Sequence, residues 1–353
     1  MPGFRKSLRA YEDWLRLAVG PDFVEGDLEE KHRKMRASAF AFLRASYWRW
    51  AETILEICPE LADGPVVLAI GDIHLENFGT WRDVEGRLVW GVNDFDDAAP
   101  MPYALDLVRL AASAFLARGR KGPGMTGICG GILAAYRKGL EHPAPVILER
   151  DRKWLRKAVM LPEPERAAFW SRLERLQPRD PPPRFRAALQ AALPETDSPP
   201  VMAPRSAGTG SLGRPRFVAC ADWRGGPVVR EAKALVQSAW SLCHAPGDTA
   251  IRVGEAAAGP FRAPDPHYHV ADGILVRRLS PNARKIEVKR DADTLLDRDM
   301  LEMMGLEIAN CHGGDQGLRQ AIGEDIARRS RTWLRNAARA AVDGIVREQG
   351  ELD

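Results

Sequence analysis

Cysteine is scarce and scattered in this chain. There are 5 in 353 residues, at Cys58, Cys129, Cys220, Cys243 and Cys311. The number is odd, the spacing wide, and no CxxC pair occurs, which argues against both a disulfide framework and a structural zinc site. Reduced thiols in a cytoplasmic protein are the expectation. Long apolar runs are also missing. No window approaches the roughly 18 uninterrupted apolar residues of a membrane span. The opening residues, Met1 to Ser7, have no apolar stretch behind them, so no signal peptide is expected. Charge of one sign is not in excess either. The 51 basic and 48 acidic residues leave a net charge of +3, which does not point to a nucleic-acid or membrane-surface partner.

What is present is ordinary for a soluble globular protein: 45% hydrophobic and 28% charged residues. At roughly 150 residues per domain, the length suggests about two lobes. Apolar residues at three-to-four spacing predict helices over 7–19, 31–57, 103–118, 125–141 and 151–176. The basic run Lys31-His32-Arg33-Lys34 with Arg36 reads as a solvated helix face, with a phosphate-binding patch as the alternative. Pro65–Ile70 reads as a buried strand. Phe78–Trp81 and Leu88–Val92 read as a hairpin. A proline-rich stretch over 178–204, around a helical piece at 184–193, marks a boundary. Beyond it the pattern turns to strands. Residues 216–223 and 227–235 alternate across Gly225-Gly226, and 266–271 pairs with 273–279. A short helix is expected at 248–258, and further helices at 294–311 and 317–348. The division expected is a helical catalytic lobe over 1–200, a β-rich nucleotide lobe over 201–290, and C-terminal helices over 291–353 that return to the first lobe.

Two segments carry chemistry. The first is Gly71-Asp72-Ile73-His74-Leu75-Glu76-Asn77, followed by Asn93-Asp94-Phe95-Asp96. Asp72 and Asp94 are 22 residues apart, but the hairpin between them brings both to one end of an antiparallel pair. Asn77 lies near the same end. Oxygen ligands of this kind suit Mg²⁺, which binds one or two carboxylates together with substrate phosphates. The five-residue step from Asp72 to Asn77 matches the D-x-x-x-x-N spacing of a kinase catalytic loop, and Asp94-Phe95-Asp96 takes the place of its metal-binding D-F-G. Asp72 and His74 are therefore the catalytic candidates, and Asn77, Asp94 and Asp96 the metal candidates. His74 has two further readings, a metal or phosphate contact and a satisfied loop histidine. Asp106, ahead of an apolar helical run, reads either as an anchor for this loop or as an acid at a helix N-terminus.

The second segment is Gly208-Thr209-Gly210-Ser211-Leu212-Gly213. Strand-like residues follow it, not a helix, which disfavours a dinucleotide fold and favours a phosphate-covering loop of kinase type. Gly208, Gly210, Ser211 and Gly213 are the candidates for that role. Val228 to Lys233 then offers two cations, Arg230 and Lys233. Three residues apart on a strand, they point to opposite faces. Lys233 is preferred for the phosphates, with Glu255 as a candidate ion-pair partner.

The pattern Gly71-Asp72-x-His74-x-x-Asn77-Phe78-Gly79, then Asn93-Asp94-Phe95-Asp96, then Asp106-Leu107-x-Arg109-Leu110-Ala111-x-Ser113 resembles the bacterial domain-of-unknown-function 2252 family. The resemblance extends upstream to Lys34-Met35 and Phe42-Leu43-Arg44. Downstream it reaches the glycine loop and Arg230-Glu231-Ala232-Lys233. That family is similar, around its G-D-x-H-x-x-N and D-F-D motifs, to aminoglycoside and choline kinases. The resemblance implies an α+β, protein-kinase-like two-lobe fold. Two departures stand out. The catalytic loop precedes the glycine loop, which implies a circular permutation. Ile70 stands where the aminoglycoside kinases carry a histidine, which removes a loop-orienting contact.

The resulting expectation is an ATP- and Mg²⁺-dependent phosphotransferase acting on an unidentified small-molecule or protein acceptor. AMP transfer is a variant of it. A nucleotide-binding pseudokinase and a metal-dependent hydrolase using His74 are the alternatives. The acceptor and the oligomeric state have no signature in the sequence.

Overall fold

The computed structural model describes residues 2–118 and 122–352. It is an α+β protein built mainly of helix. Several expected helices divide where local chemistry breaks them. The 31–57 segment is three helices, Asp27–Ala37, Ala39–Ala45 and Tyr47–Ile57. Ser38 makes the first break: its backbone is extended and its hydroxyl accepts a hydrogen bond from the Ala41 amide, an N-cap that starts a new helix. Ser46 makes the second, its hydroxyl donating to the Phe42 carbonyl at 2.6 Å. The 151–176 segment divides into Lys153–Val159 and Glu163–Glu174, because Pro162 and Pro164 fit the entry of a helix but not its interior.

In the first half the strands are β1 (Val66–Ala69), β2 (Phe78–Arg82), β3 (Leu88–Val92), β4 (Ala99–Pro102) and β5 (Val146–Ile147). The expected hairpin forms, β2 and β3 pairing from Phe78↔Val92 to Arg82↔Leu88. β1 pairs antiparallel with β4. The second half contributes β6 (Val201–Pro204), β7 (Arg216–Trp223), β8 (Gly226–Ala234), β9 (His269–Ala271) and β10 (Ile274–Arg278). These form one antiparallel sheet in the order β6-β7-β8-β10-β9. The β7–β8 turn falls at Arg224-Gly225, one residue earlier than expected. Both have positive φ, 50° and 81°, as a two-residue type I′ turn requires.

Two cores result. The larger contains the helices Ala104–Ala117, Met125–Glu141, Arg298–His312 and Trp333–Gly350, with Leu107, Leu110, Ile132, Met304 and Ala338 buried among them. The C-terminal helices therefore pack on the first half of the chain. The smaller core lies on one face of the five-stranded sheet. There Phe185 and Leu189 of the helix Pro183–Ala192 meet Met202, Ala219, Ala232 and Ile274. The proline-rich stretch is thus more than a linker, because its helix covers the sheet. No described helix is long and apolar enough to cross a membrane.

Candidate active cleft

The loop that carries Asp72 is held by one face of the helix Ala104–Ala117. Asp106, Arg109 and Ser113 stand at three- and four-residue steps, so they share that face. The Asp106 carboxylate accepts from the amides of Ile70 at 2.7 Å and Gly71 at 3.0 Å. The Arg109 guanidinium donates to Asp72 Oδ1 at 2.5 Å and to the Leu43 carbonyl at 2.7 Å. The Ser113 hydroxyl accepts from the Leu75 amide at 3.2 Å. Arg109 is itself fixed by two rings, 4.9 Å from Tyr47 and 5.0 Å from Trp50. Asp106 has a further partner, His312 Nε2 at 2.9 Å, and His312 Nδ1 meets the Tyr136 hydroxyl at 2.9 Å. Both readings of Asp106 hold: it lies in the first turn of its helix and it anchors the loop. The loop at Ile70 is held by this buried carboxylate, which His312 supports.

Asp72, His74, Asn77, Asp94 and Asp96 all line one cavity of about 250 Å³, so the hairpin brings them together. Burial pushes the Asp72 carboxyl up to about 7; Arg109 opposes the rise, and Asp97 and Asp94 add to it. The Asn77 amide donates from Nδ2 to the Asp72 carbonyl at 2.5 Å, which leaves its oxygen free for a cation. Asp94 lies 3.6 Å from both Lys233 Nζ and Lys285 Nζ. Burial alone would raise its carboxyl, but Lys233, Lys285 and Arg277 together hold it well below the usual range.

Asp96 and His74 are both engaged by neighbours. Asp96 meets Lys233 through Oδ1 at 2.5 Å and Arg214 through Oδ2 at 3.2 Å, and so is a counter-ion for two of the cleft's cations. His74 is buried and neutral: desolvation first, then Arg44 and Lys285, keep its ring well below its ordinary value. Its Nδ1 accepts from the Glu76 amide at 3.1 Å, which is the satisfied-loop reading and not that of a proton-transfer group. Among the described residues no three His, Cys, Asp or Glu side chains converge as a metal cluster. The Asp94 carboxylate and the Asn77 amide oxygen are a donor pair of the kind Mg²⁺ shares with phosphates.

From the other side of the cleft come the glycine loop and Lys233. The loop joins β6 to the antiparallel β7, a strand–loop–strand unit with no helix after it. Gly208 and Gly213 have positive φ, 79° and 94°, which glycine tolerates without strain. Gly210 lies against the loop that carries Asp72. A Cβ there would come within 3.0 Å of the Arg44 carbonyl and 3.2 Å of Asp72 Oδ2. The Ser211 hydroxyl donates to the Ala207 carbonyl and accepts from Arg216. Of the two candidate cations, Lys233 faces the cleft. Arg230 faces away, bonded to the Ala192 carbonyl at 3.0 Å and beside His267, as alternation along β8 requires. Glu255 is exposed and does not pair with Lys233; Asp94 and Asp96 do.

Sequence reasoning missed the arginines. Arg44, Arg205, Arg214, Arg216, Arg277 and Lys285 also line the cavity. Three of them converge on one buried acid: Glu231 takes Arg216 at 2.9 Å, Arg277 at 2.7 Å, and Arg205 as a third partner. A second cavity of about 300 Å³ adjoins the first and shares Arg205, Arg277, Lys285 and Glu287 with it. Trp81, Phe95, Phe169 and Tyr268 give it an aromatic wall. Three of its residues hold buried polar atoms without a hydrogen-bond partner: Asn93 Oδ1, the Tyr268 hydroxyl and Glu287 Oε2.

Fold and site together define an α+β protein in which a carboxylate-bearing loop on a helical body faces a glycine loop and a lysine on an antiparallel sheet. Residues 24–149 match a family described as “Uncharacterized protein conserved in bacteria (DUF2252)”. The match contains the catalytic-loop, hairpin and Asp106–Ser113 motifs and ends before the glycine loop. No curated protein and no solved structure matches the chain.

Proposed function

We propose that the protein is an ATP- and Mg²⁺-dependent phosphotransferase of kinase-like, circularly permuted two-lobe design, acting in the cytoplasm on a hydroxyl-bearing acceptor. The observation that carries this reading is the meeting of Lys233 with the carboxylates of Asp94 and Asp96. Lys233 lies on the third strand of the glycine-loop sheet. In kinases the phosphate-binding lysine occupies the corresponding strand, and it works beside the metal-binding aspartate. Here two elements more than a hundred residues apart in sequence supply the two halves of that arrangement.

Lys233, Lys285 and the glycine-loop amides would hold the phosphates. Asp94 and Asn77 would hold the metal, which when bound neutralises phosphate charge. The aromatic cavity beside them suits the nucleoside, and the unpartnered Asn93 and Tyr268 atoms suit the polar edge of its base. Asp72 would take the proton of the acceptor hydroxyl. The acceptor oxygen then bonds to the terminal phosphorus as the bond from that phosphorus to the bridging oxygen breaks, its electron pair leaving on ADP. His74, neutral and turned to its own loop, does not favour the hydrolase alternative.

The test is calorimetric titration with Mg²⁺-ATP, together with a nucleotide-consumption assay. Binding should be lost in Lys233→Met and weakened in Asp94→Ala by about 3 kcal/mol, the scale of a charged hydrogen-bonding partner. If neither ATP nor GTP binds the wild-type protein in the presence of Mg²⁺, the reading fails. Binding without turnover under all acceptor conditions would leave the pseudokinase form.

A further inference from the structure

The catalytic end of the cleft carries positive charge that the nucleotide-holding groups do not account for. Lys233, Lys285 and Arg277 surround Asp94 and Glu231. Arg44 and Arg214 line the cavity that contains Asp72, and their own acid partners are Glu76 and Asp96. The Arg44 carbonyl lies against Gly210, as does the Asp72 carboxylate. The Arg44 side chain lines the cavity, places Nη1 on Glu76 at 2.7 Å, and has a buried Nε with no partner. Arg214 is buried and lines two cavities, the one that contains Asp72 and a larger one of about 750 Å³ beyond the glycine loop. Each shares only part of its charge with an acid.

A third cation belongs to the same neighbourhood. Lys31 sits in what reads as a solvated basic run, yet it is only 1% exposed. It lies 5.3 Å over the Tyr11 ring and forms no ion pair with any described residue. Burial and then Arg214 push its ammonium down to about 8, against the pull of Glu12, Asp97 and Asp72. A cation buried without an ion-pair partner is costly, but Lys31 is not among the residues that line these two cavities, so it adds to the positive field without touching what binds there.

We propose that the acceptor is an anion, a hydroxyl compound bearing a carboxylate or phosphate, held by Arg44 and Arg214 in the cavity they share with Asp72. An amine-bearing acceptor would meet like charge there. The inference rests on the phosphotransferase reading for the fate of the anion, but the anion site is measurable by itself.

The experiment uses the full chain saturated with Mg²⁺ and a non-hydrolysable ATP analogue, titrated calorimetrically with glycerate, glycerol 3-phosphate, glycerol and ethanolamine. One or both anions should bind alongside the nucleotide, and the neutral and cationic probes should not. Glycerate alone would assign a carboxylate acceptor, and glycerol 3-phosphate alone a phosphorylated one. Arg44→Met should weaken the anion about tenfold, the scale of a charge-assisted hydrogen bond, and leave the nucleotide's affinity unchanged. The inference is overturned if the anions displace the nucleotide, if ethanolamine binds more tightly than either anion, if neither anion binds, or if Arg44→Met does not weaken binding. Should the nucleotide itself not bind, the phosphotransferase reading falls. The same titrations on nucleotide-free protein then decide the anion site by whether Arg44→Met weakens binding about tenfold.

Discussion

Asp72 must be ionised to accept a proton. With its carboxyl raised to about 7 by burial, turnover should fall about tenfold per pH unit on the acid side of 7 and level off above it. A rate profile with its acid limb near 4 would show that burial is not controlling this group. Lys31 titrates with the opposite sense. Its folded value, about 8, lies below its ordinary 10.5, so folding disfavours the charged form. The destabilisation is complete below about 8 and vanishes above 10.5. Lys31→Met should therefore raise stability at pH 7 by about 3 kcal/mol, and the gain should shrink as pH rises toward 10.5. Urea unfolding at pH 7 and 10 measures this, and a loss of stability at pH 7 would count against it. These residues differ in how legible they were. Asp72, Asn77 and Asp94 are linked by a short hairpin, so local pairing alone places them together. The cleft arginines come from distant segments, and only the tertiary fold gathers them. Lys31 had a usable signal: Leu28, Lys31 and Met35 fall on one helical face, and all three are buried.

Among the elements, the helix Ala104–Ala117 orders the catalytic loop at three points. Removing the charge of its first contact should be costly, because the Asp106 carboxylate is fully buried and accepts from two amides and faces His312. Asp106→Asn is expected to lower unfolding free energy by about 3 kcal/mol and to lower kcat more than it raises the KM for ATP. Denaturant unfolding and steady-state kinetics read the two effects separately. A KM change alone would mean that the loop keeps its geometry without the charge. The motif around Asp106 was visible as letters, and its three- and four-residue spacing explains why those letters recur on one face. Other elements were hidden for physical reasons. β4 reads Ala99-Pro100-Met101-Pro102, and two prolines look like a turn; the strand is tolerated because it pairs with β1 alone. β6 lies within the proline-rich stretch and was masked by it. The serine breaks in 31–57 interrupt the backbone without disturbing the apolar period, so periodicity ran through them.

For the molecule as a whole, the sequence order of the motifs was readable but their facing surfaces were not. The glycine-loop sheet lies far along the chain from the Asp72 loop, and in the structure it faces that loop. Gly210 is where the two come closest. Gly210→Val would drive a side chain against the Arg44 carbonyl and Asp72, forcing the sheet away from the helical body. The expected result is about a tenfold rise in the KM for ATP with a smaller change in melting temperature, because misplacement across the cleft affects positioning before it affects packing. An unchanged KM would show that the loop does not cover the phosphates.

The two ammonium groups around Asp94 also bear on the order of events in a catalytic cycle. Lys233 and Lys285 already neutralise that carboxylate, so a bare divalent ion would arrive at a ligand whose charge is spent. Metal escorted by a polyphosphate meets a different situation, since the phosphates can draw the lysines off as the ion settles. On the phosphotransferase reading, magnesium and nucleotide would therefore enter as one complex, and free magnesium alone should leave the melting temperature unchanged.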